Sequence, residues 1–325
     1  MNKHTRREFL TKTILGAVGS GFALSLFSPE DLASQAVTRG YAAGKFALDI
    51  GGVPAGWIES AEGGHATSDV VTEKVGVNVA RKNLGAVMYE PITITCGVGM
   101  SRSFYEWIKA SMAMSRPQDG AIHVCDYDGN VKSTLEFHKA LITEIGFPAL
   151  DAASKEPAKM TIKFAPEFTR TLAGPGKKIA LSNDAAKQKR WLPSNFRLEI
   201  PSVDCTRVSR IDAITIKQKV VAQMGGIRSG PANLETPNLV ATVEESHAEG
   251  FYKWMTSSSQ NPSLPGNKKP GQLDFLNADL REALFTLRFA DLTIRRLTPE
   301  PGKMGLKSVK AEMYFQGLQF QYSAV

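Results

Sequence analysis

One feature of this sequence constrains the fold more than any other. A block of strand, capped helix and further strands occurs twice, at an offset of about 150 residues. The first copy opens with F-A-L-D-I (Phe46 to Ile50) and the second with F-R-L-E-I (Phe196 to Ile200). Both alternate apolar and polar residues, the pattern of a half-buried strand. I-T-I-T-C (Ile92 to Cys96) then parallels L-V-A-T-V (Leu239 to Val243), and each leads into a short helix carrying F-Y-E-W-I-K (Phe104 to Lys109) or F-Y-K-W-M-T (Phe251 to Thr256). Phe104, Trp107 and Ile108 fall at i, i+3 and i+4, so they share one helix face, and Phe251, Trp254 and Met255 do the same. Ser103 with Glu106, and Ser246 with Glu249, have the spacing of a capping box. Self-similarity in order and spacing marks one fold used twice.

Strand-like runs follow each helix: Ala121 to Tyr127, Val131 to Phe137 and Met160 to Phe164 in the first copy, Gln272 to Leu276, Phe285 to Phe289 and Val309 to Phe315 in the second. Asp128–Gly129 between two runs signals a tight hairpin. One helix among many strands predicts a mainly β (α+β) class: two tandem β-barrel or sandwich domains, each with a flanking α-helix. The expected boundaries are a leader over 1–36, a first domain over 44–172, a linker over 173–194 and a second domain over 195–325. The linker holds Gly174-Pro175-Gly176 and a lysine-rich stretch, and its Trp191 is expected to pack on a domain. Gly225 to Pro237 and Ser257 to Gly271 read as surface loops.

The leader is basic at its start and moderately apolar from Thr13 to Phe27, with a small-x-small cut site at Ser34-Gln35-Ala36. That is the pattern of a signal peptide. Arg6 and Arg7 followed by Phe9 and Leu10 resemble the twin-arginine motif, which predicts export to the periplasm, cell surface or exterior. The apolar stretch is short and glycine-rich for a membrane span, and no span is expected in the mature chain.

Chemistry is sparse. The net charge of +7 is spread without a dense basic tract, so direct nucleic-acid binding is not expected. The five histidines are scattered and the three cysteines widely spaced, which gives no zinc site and no disulfide framework. Cys96 and Cys125 could pair only if their strands are neighbours. Asp126-Tyr127-Asp128-Gly129 lacks the spacing and closing glutamate of a calcium loop, and Gly97-Val98-Gly99 lacks the context of a dinucleotide fingerprint. The reading is therefore of a non-enzyme, with no catalytic residue, cofactor or metal. An exported binding or surface module is the alternative, and a secreted enzyme a more distant one.

Three runs together carry a family resemblance: I-T-I-T-C-G-V-G-M-S-R-S-F-Y-E-W-I-K from Ile92, D-G-A-I-H-V-C-D-Y-D-G from Asp119, and L-E-F-H-K-A-L-I-T-E-I-G-F-P-A-L-D-A-A-S-K-E-P-A-K-M-T-I-K-F from Leu135. Phe46 to Thr169 resembles the tail tube proteins of contractile phages and injection systems, and Phe196 to Tyr322 does so faintly. The resemblance implies two packed sheets with a flanking helix, six such domains to a ring, and rings stacked into a hollow tube. It also implies self-association, and tail-like or tube-capping proteins as further partners. Family members are typically single domains without a leader. A doubled chain could complete a six-domain ring with three copies. The resemblance further points to His65 to Gly85 and Val220 to Pro237 as interface segments, since the family's equivalent loop contacts a neighbouring ring.

Overall fold

The computed structural model describes residues 44–75, 80–179, 191–218, 222–223, 226–227, 230–231, 234–261, 265–301 and 307–322. The leader, with Arg6, Arg7, Phe9 and Leu10, and residues 180–190 of the expected linker lie outside them. Residues 43–325 form one compact unit.

Strands dominate, as alternating and β-branched segments dictate. The first half contains β1 (Lys45–Ile50), β2 (Val53–Ile58), β3 (Ser60–Glu62), β4 (Ala66–Lys74), β5 (Ala80–Tyr89) and β6 (Ile92–Cys96). After helix α1 (Arg102–Ala113) come β7 (Met114–Ser115), β8 (Gln118–Cys125), β9 (Val131–Phe147), β10 (Leu150–Asp151), β11 (Met160–Ala165) and β12 (Phe168–Ala173). The second half opens with β13 (Phe196–Glu199), β14 (Val208–Ile211) and β15 (Ile214–Gln218). Four two-residue strands follow: β16 (Ala222–Gln223), β17 (Gly226–Ile227), β18 (Gly230–Pro231) and β19 (Leu234–Glu235). Next are β20 (Leu239–Glu244), helix α2 (Glu249–Gln260), β21 (Lys269–Leu276), β22 (Ala283–Pro301), β23 (Lys307–Tyr314) and β24 (Gly317–Tyr322).

The strand order of the first half recurs in the second, and every pair is antiparallel. The path β1-β8-β9-β11-β6-β3, with β12 also on β9, corresponds to β13-β21-β22-β23-β20-β14, with β24 also on β22. The match extends to irregularities. The β9–β11 register skips one residue between Ile142 and Glu144, and the β22–β23 register skips one between Ile294 and Arg296. Each long strand serves two sheets and turns between them at a non-glycine residue of positive φ, Lys139 (φ 48) in β9 and Asp291 (φ 54) in β22. Such a conformation is uncommon for a residue with a Cβ. At Lys139 the backbone N–H is held by the Asp119 carboxylate at 2.7 Å.

One hydrophobic core runs through both halves. In the first, Trp107 stacks near Phe137 (6.4 Å between ring centres) and meets Phe164 edge-on at 5.3 Å. Between the halves, Phe147 at the end of β9 lies 5.6 Å from Phe275 and 5.7 Å from Phe285. Trp191 is buried against the same two rings, at 5.6 and 5.2 Å. The segments 44–172 and 195–325 thus meet through packed aromatic side chains.

Several local expectations need correction. Neither capping box forms. Helix α1 starts one residue before Ser103, with Ser101 at its N-cap, and α2 starts at Glu249 after Ala248; neither N-cap side chain makes a capping hydrogen bond to the helix backbone. Ser103 bonds the Ser101 hydroxyl, and Ser246 lies in a 3-10 turn beside His247. The Asp128–Gly129 turn is a wider connection, in which the Asp126 carboxylate accepts the N–H groups of Asp128 and Asn130 at 3.1 and 2.8 Å. Ser257 to Gly271 is only partly loop: α2 runs to Gln260 and β21 begins at Lys269. Cys96 and Cys125 sit on strands that are not neighbours, and all three cysteines are free thiols.

Candidate assembly interface

The chain exposes backbone edges and apolar side chains in specific places, and these are the candidate site. Gly63 (φ 90) and Gly64 (φ 81) lead the chain out of β3. A Cβ at Gly63 would lie 2.1 Å from the Pro91 carbonyl oxygen, so this exit requires glycine. The chain then forms the β4–β5 hairpin, in register from Ala66↔Tyr89 to Lys74↔Ala80. Among the described residues these two strands pair only with each other. The hairpin base is anchored: Tyr89 meets Phe168 of β12 edge-on at 5.3 Å, and Thr169 Oγ1 donates to the Gly64 carbonyl at 2.6 Å. Farther out, Val70, Val71, Leu84, Val87 and Met88 are all exposed, Leu84 to 79%. An extended apolar edge of this kind is what native proteins ordinarily cover.

In the second half β15 and β19 form the equivalent pair, and there it is covered. Lys217↔Glu235 and Gln218↔Leu234 pair β15 with β19. The outer edge of β15 adds to the first half's sheet, with Ile214↔Phe147, Thr215↔Gly146, Ile216↔Ile145 and Lys217↔Glu144. Ile216 and Ile145 are buried at this seam. β18 pairs with β7 just beyond α1, and β10 pairs with β14. Tyr105 of α1 stacks on Tyr322 and Phe320 of β24 at 5.4 and 6.3 Å, and the Tyr322 hydroxyl donates to Glu106.

That acceptor raises the Tyr322 hydroxyl above its ordinary pKa, because ionising it would set two anions side by side. Burial raises Tyr105, whose hydroxyl donates to the Val98 carbonyl at 2.7 Å. Both phenols therefore act as neutral donors in the seam.

The remaining residues singled out by sequence are structural in placement. Phe104, Trp107, Ile108, Phe251 and Trp254 are buried, and Met255 packs partly buried against the core. Burial pushes the Cys96 and Cys205 thiols up to about 12, so they are protonated and unreactive at neutral pH. Burial lowers His123, whose ring meets Thr134 Oγ1 at 3.0 Å. Asp274 is buried and accepts from Arg197 at 2.7 Å and from Thr286 at 2.7 Å, which satisfies its charge within the fold. No group of three metal-binding side chains occurs among the described residues. His65 to Gly85 lies within the stretch leading into and forming the exposed hairpin. Only short pieces of Val220 to Pro237 fall within the described residues. Sequence reasoning did not find the seam itself, because cross-strand pairing between distant segments leaves no local signature.

Residues 42–168 match the family model described as T4-like virus tail tube protein gp19. Similar solved structures include the tube-terminating cap of the anti-feeding prophage, at 23% identity over 43% of this chain and 95% of that one, with a TM-score of 0.38. A sheath–tube complex of the extracellular contractile injection system PVC is similar at 22% identity over 46% and 99%, TM-score 0.37. Hcp1 of Flavobacterium johnsoniae is similar at 17% identity over 40% and 96%, TM-score 0.27. No curated protein matches. The family match lies within the first half of the chain.

Proposed function

We propose that this chain is a structural, non-enzymatic subunit that assembles with itself into a ring or tube. The observation that carries the reading is the exposed β4–β5 hairpin inside the segment that matches the tail tube family. An edge with free N–H and C=O groups and exposed valines and leucine is stabilised when another strand covers it. Two tail-tube-like domains per chain would let three copies close a six-domain ring, and tube-capping proteins of the same class would be natural neighbours at its ends. Negative-stain microscopy of the purified chain tests this: ring or tube particles are expected, and a compact single-chain particle at high concentration would refute it.

Export through the twin-arginine pathway is part of the same proposal and rests on Arg6, Arg7, Phe9 and Leu10. That route would deliver a folded subunit for assembly in the periplasm, at the cell surface or outside the cell. Replacing Arg6 and Arg7 with lysine should trap the chain in the cytoplasm; unchanged export of the variant would refute the twin-arginine part.

A further inference from the structure

We propose that successive copies of this chain dock head to tail through a duplicate of the seam that already joins its two halves. In that junction His65–Thr67 of one copy pair antiparallel with Arg296–Thr298 of the next, with Ala66 opposite Leu297. The inference rests on the assembly reading above and fixes the partner and the register.

The register follows from internal correspondence. Pairings of β6 with β3 and β11 equate Ile94 with Ala241 of β20, and Ile162 with Ala311. Carrying the ladder outward equates Ile142 with Ile294, and, past the shared one-residue skip, Glu144 with Arg296 and Ile145 with Leu297. On the hairpin side, Thr67↔Met88 corresponds to Lys217↔Glu235, and Ser68↔Val87 to Gln218↔Leu234. Ala66 is therefore the counterpart of Ile216. Since Ile216 lies opposite Ile145 within the chain, Ala66 belongs opposite Leu297.

Both halves of the duplicate junction are open. In β9, residues 144–147 are flanked by β11 on one side and β15 on the other. In β22, residues 293–301 have a partner only in β23 among the described residues. Ile145 is buried, whereas its counterpart Leu297 is partly exposed and Ala66 is exposed. The helices agree. Tyr105 is buried by β24, but its counterpart Tyr252 in α2 is 40% exposed. The hairpin and β12 are joined through Tyr89 and Phe168, while at the internal seam β15 pairs with β9 and β24 packs on α1. Each copy thus carries one donor end and one acceptor end. Such a heterologous contact makes a ring if its rotation closes.

Cysteine pairing tests the register, because directly opposed strand residues have Cβ atoms about 4.5–5.5 Å apart. In a Cys205→Ser background, full-length chains carrying Ala66→Cys alone and Leu297→Cys alone are mixed, oxidised and run on a non-reducing gel. A two-chain disulfide species is expected only in the mixture. Leu297→Cys should outperform Pro301→Cys as the partner, and the double variant should ladder up to one closed species. Both positions are at least partly solvent-exposed, and circular dichroism verifies that the variants fold. Rings in the microscope without the 66–297 disulfide would overturn the junction and leave the assembly reading intact. Equal crosslinking to Pro301→Cys would overturn the register. A disulfide formed only within single chains of the double variant would overturn docking between copies. Wild-type particles that stay single would overturn both the assembly reading and the junction built on it.

Discussion

Phe147→Ala asks whether the two halves stand or fall together. Phe147 ends β9 in the first half, yet its ring is buried among Phe275, Phe285 and Phe320 of the second, at 5.6, 5.7 and 6.2 Å. Removing a buried phenyl ring costs about 3–5 kcal/mol, the sum of lost transfer free energy and the void left behind. At roughly 2 °C per kcal/mol for a unit of this size, the melting temperature should fall by ~6–10 °C. The decisive point is which reporters move. Trp57 and Trp107 report on the first half, and Trp191, packed on Phe275 and Phe285, and Trp254 on the second. Thermal melts followed by tryptophan fluorescence and far-ultraviolet circular dichroism should show one transition, shifted equally by both probes. The measurement belongs at a concentration where dilution no longer changes the melting temperature, since association would add its own stabilisation. Two separate transitions, with the second half melting at its wild-type temperature, would refute the shared-core argument.

Three other perturbations follow from single contacts. Asn267 is buried; its side chain accepts from Ser257 Oγ and donates to the Ser257 and Asn261 carbonyls, while its own carbonyl accepts from the Trp254 indole at 2.8 Å. Asn267→Ala should cost about 1–3 kcal/mol by leaving buried groups unpaired, read as a lower urea midpoint with a red-shifted Trp254 emission. Burial lowers the pKa of His123, so the unfolded chain takes up a proton first as pH falls below the ordinary 6.5, and stability present above that pH is lost on acidification. His123→Gln should therefore flatten the stability change between pH 7 and 5. Asp126 is held below the usual carboxylate range, chiefly by hydrogen bonds from Asn130, so its contribution is present above the ordinary 3.8 and is lost as pH falls. Asp126→Asn should lose less stability than wild type between pH 5 and 3, compared by urea midpoints.

The parts of the fold legible in the sequence were those written in one period. Ile92, Ile94 and Cys96 alternate inward along β6, and Phe104, Trp107 and Ile108 line one face of α1; both patterns follow from local geometry. The long strands were not legible over their full length. The burial pattern of β9 changes at Lys139, because the chain turns there at positive φ and enters a second sheet. Beyond that turn Ala140, Leu141 and Ile142 are buried in succession, and a strand covered on both faces loses its two-residue period. The capping boxes failed for a different reason. The spacing was present, but α1 begins before Ser103, and that side chain is taken up by Ser101. The seam was the least legible part, since β15 finds β9 across some seventy residues of chain, and no local pattern encodes that pairing.

The difference between the equivalent residues of the two halves is the most informative physical fact about the molecule. Two copies of one strand order in a single chain need only one junction between them, and that junction is filled: Ile145 and Ile216 are buried, β15 completes the sheet, and Tyr105 is stacked. A fold built to end there would be expected to give the outward-facing counterparts polar or edge-blocking residues, the usual protection against strand addition. Charged residues are indeed present, with Lys74, Arg81 and Lys82 on the hairpin and Arg295 and Arg296 on β22. Yet the hairpin also displays Val70, Val71, Leu84 and Val87, and β22 keeps Leu297 at the position of buried Ile145. Covalent linkage makes the internal junction independent of concentration, whereas the proposed outer one would form only when copies meet. The charges at the outer junction would then tune how readily copies meet, and the retained apolar residues would hold them once they have docked.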